Sequence, residues 1–167
     1  MAAAKESWSI SIHKDYLKFS AAHFLIFPDG TAERLHGHNY KVFVDVQTDL
    51  DPHGLVLNFK DIKPMIRELT NELDEHVLIP GKHPVLKTTR QADGQLEIRY
   101  RERRYLIPAD EVLVLPISNS SAENLATWVG RELRTRMRAK WPALRVQRLT
   151  VGVEETPGQR GIYVSED

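Results

Sequence analysis

Two histidines, His36 and His38, stand two apart in the stretch LHGHNY, and a third, His23, sits in the apolar stretch FSAAHFL. In an extended strand residues i and i+2 point to the same face, so His36 and His38 present their imidazoles together, with Gly37 keeping the opposite face uncrowded. If the segment ending at His23 pairs alongside, a third imidazole reaches that face. Three nitrogen ligands and one open position form the pattern of catalytic zinc, whereas structural zinc sites close all four positions. The competing reading is a chance pair on a loop. Two facts weigh against it: an imidazole buried without a partner in FSAAHFL would be costly, and the chain has no cysteine, which leaves histidine as its main soft ligand. His13, His53 and His83 stand in polar or turn contexts and read as surface residues.

The absence of cysteine also removes disulfides, thiolate metal sites and thiol nucleophiles from every further reading. Lys plus Arg number 23 and Asp plus Glu number 23, so no whole-molecule field draws the protein to nucleic acid or an anionic membrane. No apolar run approaches the roughly 20 residues that span a bilayer, and MAAAKESW lacks a signal-peptide core. The expectation is a cytoplasmic protein with neither nucleic-acid nor membrane partners. At 167 residues and 41% hydrophobic content, one domain with one core is expected over residues 1–167.

The elements that must position the histidines follow from periodicity. Trp8 to His23 is β-prone, and Tyr40, Val42, Val44 and Val46 alternate within Asn39 to Gln47, so both read as half-buried strands. Pro28, Asp29 and Gly30 mark the turn between them. From Asn58, a fitting N-cap, Ile62, Met65, Ile66, Leu69 and Leu73 recur at helical spacing. A second helix opens at Ser120, whose S-x-x-E relation to Glu123 is a capping box; it buries Leu125, Trp128, Val129, Leu133 and Met137 and ends before Pro142. Leu149 to Val153 and Ile162 to Val164 are the last strands. Lys82 to Glu111 reads as a hairpin insertion turning at Asp93 and Gly94. Strands interrupted by two helices suggest an α+β fold, an antiparallel sheet with both helices on one face. The Arg131, Arg134, Arg136 and Arg138 run spreads around a helix and reads as a solvated face.

The ordered set FSAAHFL, RLHGHNY, VLNFKDIK, LDEH, NSSAENLA and VEETP resembles the 6-pyruvoyl- and 6-carboxy-tetrahydropterin synthases along nearly the whole chain, leaving only the insertion outside the common pattern. The resemblance implies the tunnelling fold, a four-stranded antiparallel sheet with two helices on its outer face. It also implies homo-oligomers, trimers stacked into hexamers, with active sites at subunit interfaces. His23, His36 and His38 match the family's zinc ligands, and Glu155 matches the residue that anchors the pterin through its 2-amino and ring N–H groups. A carboxylate suits such a paired donor edge. Glu154 next to it reads equally as a charged strand end, and alternation sends the two to opposite faces. Ser121 and Glu123 match a second pterin-contacting segment, although helix capping alone also explains Ser120 to Glu123.

The departures from the family pattern are informative. The family's catalytic cysteine falls at Ala32, and the next residue is Glu33. E-x-L-H-G-H resembles a glutamate-type subfamily that cleaves the substrate side chain to leave 6-hydroxymethyl-7,8-dihydropterin. The family's Asp-His pair reads here Asp74, Glu75, His76. Asp74 is retained, and His76 takes the histidine's part only if the backbone shifts by one residue; otherwise it is a loop residue. The resemblance therefore implies a zinc-dependent lyase acting on 7,8-dihydroneopterin triphosphate, with Glu33 as base. The alternatives are 6-pyruvoyl or 6-carboxy chemistry through Asp74 and His76, or a binding module that holds zinc and pterin without turnover. Lys14, Lys41, Arg34 and Arg160 suit the triphosphate by charge alone.

Overall fold

Period-two alternation produces the two long strands foreseen, β1 (Trp8–His23) and β2 (His36–Thr48), in the computed structural model, which describes residues 6–166. The chain continues through α1 (Phe59–Leu73), β3 (His76–Pro80), β4 (Lys87–Arg90), β5 (Gln95–Tyr100), β6 (Arg103–Pro108), β7 (Val112–Leu115), α2 (Ala122–Lys140), β8 (Arg148–Thr156) and β9 (Gln159–Glu166). Strands β1, β2, β8 and β9 form the expected antiparallel set, with both helices packed on them in an α+β arrangement. Tyr40, Val42, Val44 and Val46 of β2 meet Ile62, Ile66 and Leu69 of α1 and Leu125, Val129 and Leu133 of α2 in one core.

The sheet is larger than expected. Strands β3 and β7 extend it beyond β1 in the order β7-β3-β1-β2-β8-β9, and both of these added pairings are parallel. Their sequences, HVLIP and VLVL, are short apolar runs whose periodicity does not separate strand from helix. The insertion is not a simple hairpin either. Strands β4, β5 and β6 form an antiparallel meander, turning first at Gly94 (φ 85°) and again at Arg101 (φ 52°). Ile98 and Tyr100 from this meander join Phe24, Ile26 and Ile79 in a second core.

One irregularity in β1 decides where His23 points. Ile12 opposes Val44 and His23 opposes His36, yet the residue numbers of Ile12 and His23 differ in parity and would alternate to opposite faces. Between His13 and Lys18 the register shifts: Lys14, Asp15, Tyr16 and Leu17 lie against the single Val42. These three extra residues, an odd number, switch the buried set from Ile12 to Leu17, Phe19, Ala21 and His23. The bulge thus turns His23 onto the face of His36 and His38.

The helix ends are built as their sequences suggest, with one displacement. Asn58 Oδ1 accepts from Lys60 N at 2.9 Å and caps α1. For α2 the cap is Ser121, whose hydroxyl accepts from Asn124 N, and not Ser120 as the capping box suggested. Ser120 is fully buried and has another task.

Candidate active site

His23 and His36 are directly paired across β1 and β2, and His38 faces Ala21 two residues further along the ladder. The potential ligand atoms of the three imidazoles lie within 4.8 Å of one another. His23 Nδ1 is 2.8 Å from Ser120 O, and His36 Nδ1 is 2.7 Å from Arg34 O. A carbonyl can only accept, so each Nδ1 carries the proton and each Nε2 keeps a free lone pair, the outer-shell arrangement that orients metal-binding histidines. His23 Nε2 and His38 Nε2 are buried and have no hydrogen-bond partner among the described residues. Desolvation, outweighing the Ser120 carbonyl and the charge of Glu155, pushes the His23 pKa below the ordinary imidazole value, which keeps the ring neutral. Two buried ring nitrogens without a hydrogen-bond partner, together with backbone carbonyls that orient His23 and His36, fit a metal ion held by His23, His36 and His38.

Two carboxylates flank this cluster from different sides. Glu155 Oε1 lies 3.3 Å from His38 Nε2, without hydrogen-bond alignment. A second register irregularity between Glu154 and Thr156 separates the neighbouring glutamates. Glu154 turns instead to the Arg160 guanidinium, at 3.1 Å. On the His36 side, Glu33 Oε2 accepts from Leu25 N at 3.1 Å and stands 3.9 Å from His36 Nε2.

Beside His38 opens a cleft of about 820 Å³ whose walls include Ser20, His38, Lys41, His76, Glu111 and Glu155; His23, His36 and Glu33 are not part of its lining. Its volume suits a small heterocyclic ligand. Of the two candidate residues that follow α1, the structure brings His76 into this cleft and keeps Asp74 out of its lining. Asp74 Oδ1 accepts from Ser20 N at 2.6 Å, and the Asp74 carbonyl accepts from His76 Nδ1 at 2.7 Å. Glu75 between them has φ 60°, and this left-handed kink supplies the change of direction that an extended segment lacks. Ser121 and Glu123 lie at the N-terminus of α2 and are not part of the cleft lining. Of the triphosphate candidates, Lys41 reaches the cleft, while Arg160 is engaged by Glu154 and stacks over the Phe43 ring.

Sequence reasoning missed Ser120. Its hydroxyl donates to Phe24 O at 2.8 Å and its carbonyl holds His23, so it ties the start of α2 to the end of β1. The signal was the double serine: one residue caps the helix, and the other is free for a different partner. Tyr40 packs its ring against His23 and His38, at centroid distances of 5.8 and 5.7 Å. Burial raises the pKa of its phenol, and Glu155 and Glu33 add to the effect, so the phenol stays protonated.

Comparison with known proteins identifies relatives of the chain along most of its length. The family model described as 6-pyruvoyl tetrahydropterin synthase matches residues 11–166. A Methanocaldococcus jannaschii protein, provisionally named 6-carboxy-5,6,7,8-tetrahydropterin synthase, is 31% identical over 88% of this chain and 89% of its own. The Bacillus subtilis protein named 6-carboxy-5,6,7,8-tetrahydropterin synthase is 37% identical over 38% of this chain and 44% of its own. Among solved structures, 6-pyruvoyl tetrahydropterin synthase from Plasmodium vivax superposes with TM-score 0.88 at 24% identity, over 98% of this chain and 100% of that one. Two further Plasmodium vivax structures, similar at 23% identity, TM-score 0.88 and the same coverage, are described as variants in which a catalytic glutamate is replaced by alanine or by cysteine.

Proposed function

The chain belongs to the 6-pyruvoyl tetrahydropterin synthase family, and from that premise we propose that it is a zinc-dependent lyase that shortens the side chain of 7,8-dihydroneopterin triphosphate to leave 6-hydroxymethyl-7,8-dihydropterin. The observation that carries this reading is the pair of carboxylates flanking the histidine cluster, Glu155 toward His38 and Glu33 toward His36. His23, His36 and His38 would hold the metal. Zinc there would supply Lewis-acid chemistry that acidifies a substrate hydroxyl.

Each residue then has a defined task. Glu155 accepts from the 2-amino and ring N–H groups of the pterin and fixes its orientation in the cleft. Glu33 takes the proton of the side-chain hydroxyl one carbon beyond the carbon attached to the ring. That C–O becomes a carbonyl, the bond between the two side-chain carbons breaks, and its electron pair moves into the ring C=N system. Glu33 returns the proton to the carbon that remains on the ring, giving the hydroxymethyl group and an aldehyde that carries the triphosphate. Ala32 supplies no thiol for the chemistry of the cysteine-bearing relatives. A glutamate is also the catalytic residue named for the Plasmodium vivax enzyme.

A second reading rests on the names of the curated relatives. Several are called 6-carboxy-5,6,7,8-tetrahydropterin synthase, and in that chemistry His76, which reaches the cleft, would act with Asp74, whose carbonyl accepts from His76 Nδ1. Incubation with 7,8-dihydroneopterin triphosphate and identification of the product separates these two reactions, and unchanged substrate would mark a binding module. The same reading includes a homo-oligomer with active sites at subunit interfaces, as trimers or hexamers. Its support is the sheet's two outermost strands, where Val114 on β7 and Ile162 and Val164 on β9 are exposed apolar residues suited to strand joining between copies. A monomeric mass in solution would contradict it. No helix among the described residues is long and apolar enough to cross a membrane.

A further inference from the structure

The insertion does more than decorate the domain. From its β5–β6 turn, three donors reach the backbone of the loop that carries Glu33. Arg103 Nη1 donates to the Glu33 carbonyl, Arg103 Nη2 donates to the Ala32 carbonyl at 2.6 Å, and Tyr100 Oη donates to the Gly30 carbonyl at 2.9 Å. Arg101, at the same turn, lies over the Tyr100 ring and against Gly30, where an added Cβ would meet its guanidinium. Beneath these contacts the second core joins the insertion to the loop: Ile98, Tyr100 and Tyr105 pack with Phe24, Ile26 and Leu35.

We propose that Arg103 is a positioning residue: it holds the Ala32–Glu33 segment so that the Glu33 carboxylate stays beside the histidine cluster, and the insertion is the brace that carries it. The proposal rests on Glu33 being the base in the reading above. A fork geometry suits this task, since the two Nη atoms of one rigid guanidinium bind adjacent carbonyls and fix both position and direction. The Glu33 carboxylate itself accepts from Leu25 N at 3.1 Å, and Gly30 N donates to Phe27 O at 2.9 Å, while Arg103 fixes the backbone from which the carboxylate projects. Glu33 N donates to Leu25 O at 2.9 Å, Phe27 N donates to Thr31 O at 2.8 Å, and one isolated bridge links Ile26 with Ala32. The same segment presents the Arg34 carbonyl to His36, but His36 is also paired to His23 in the sheet and keeps its place without Arg103. Glu155 lies on β8, whereas the hydrogen bonds of Arg103 go to Ala32 and Glu33.

The test compares Arg103→Ala, Arg103→Lys, Glu33→Gln and the Arg103→Ala, Glu33→Gln double variant, all as the zinc-loaded full chain with 7,8-dihydroneopterin triphosphate. A misplacement of about 1 Å at a catalytic group costs on the order of 100-fold in rate. Arg103→Ala is expected to lose roughly 10- to 100-fold in kcat, with KM and zinc content within about threefold of the parent. Arg103→Lys keeps one donor and recovers part of the loss. The double variant is no slower than Glu33→Gln alone, because Arg103 acts through Glu33. Hydrogen exchange at the amides of residues 31–34 is faster in Arg103→Ala, a readout independent of activity. Arg103→Ala at the parental kcat, or a loss that multiplies upon that of Glu33→Gln, overturns the inference and leaves Glu33 as the base. Glu33→Gln at the parental rate overturns the base itself, and the inference with it. Should Arg103→Ala fail to fold, Arg103→Lys decides: a several-fold lower kcat with unchanged KM supports the brace, and an unchanged kcat rejects it.

Discussion

Replacing Glu155 by glutamine should weaken pterin binding by about 3 kcal/mol, and the contrast with Glu154→Gln tests the reasoning. Glu155 lines the cleft beside His38, where a carboxylate offers two acceptor oxygens to two ligand N–H groups. Glutamine keeps one acceptor and turns a donor toward the other N–H. The change removes one charge-assisted hydrogen bond, worth roughly 1.5–3 kcal/mol, and leaves two donors facing each other at a further cost of about 1 kcal/mol or more. At about 1.4 kcal/mol per tenfold, the expected loss is about two powers of ten in Kd. Glu154, one residue away, pairs with Arg160, with side chains 16% and 33% exposed. Such a pair contributes roughly 0–1 kcal/mol to stability, so Glu154→Gln should change pterin affinity less than about twofold, well within one tenfold step. Titration of each variant with a dihydropterin, alongside zinc analysis, gives the comparison. Equal affinities for the two variants, or loss of zinc in Glu155→Gln, would refute the assignment of the pterin anchor.

The histidine cluster predicts one zinc per chain, with none retained by the His36→Ala, His38→Ala double variant; metal analysis at full occupancy in that variant would remove the site. Because metal-bound imidazoles must be neutral, zinc is expected to dissociate as the pH falls through the histidine range, which a chelator-linked titration follows. In the insertion, hydrogen bonds from Arg99 and then Arg104 hold the Glu97 carboxyl below its ordinary pKa. A lowered folded pKa stabilises the protein above the unfolded carboxyl value of about 4.3 and ceases to do so as the pH falls through the folded value. Glu97→Gln should therefore lower Tm at pH 7, by an amount that shrinks below about pH 4; equal Tm values at pH 7 would contradict it.

How far the sequence reached can be seen residue by residue. The shared face of His36 and His38 follows from alternation in β2, and the stripes of α1 and α2 follow from their apolar spacing, because both depend on local geometry alone. His23 was harder. Its facing depends on the bulge at Lys14–Leu17, whose odd number of extra residues is set by pairing with β2 and leaves no local signature. Strands β3 and β7 exist through parallel pairing with distant segments, and β6 completes a meander whose first turn alone was legible. Ser120 and Ser121 are indistinguishable as caps until tertiary packing assigns one to α2 and gives the other to Phe24 and His23. The kink at Glu75 is a left-handed residue that is not glycine, and such a position is not foreseeable from residue type. The contacts of Arg103 join residues about seventy apart in sequence, and only the folded chain brings them together.

Product analysis after incubation with 7,8-dihydroneopterin triphosphate decides whether Glu33 starts cleavage of the pterin side chain. The zinc-loaded parent should yield 6-hydroxymethyl-7,8-dihydropterin, and Glu33→Gln should form it about 10²- to 10⁴-fold more slowly while still binding zinc and pterin. Unchanged substrate, a 6-pyruvoyl or 6-carboxy product, or a Glu33→Gln variant turning over at the parental rate would contradict the claim.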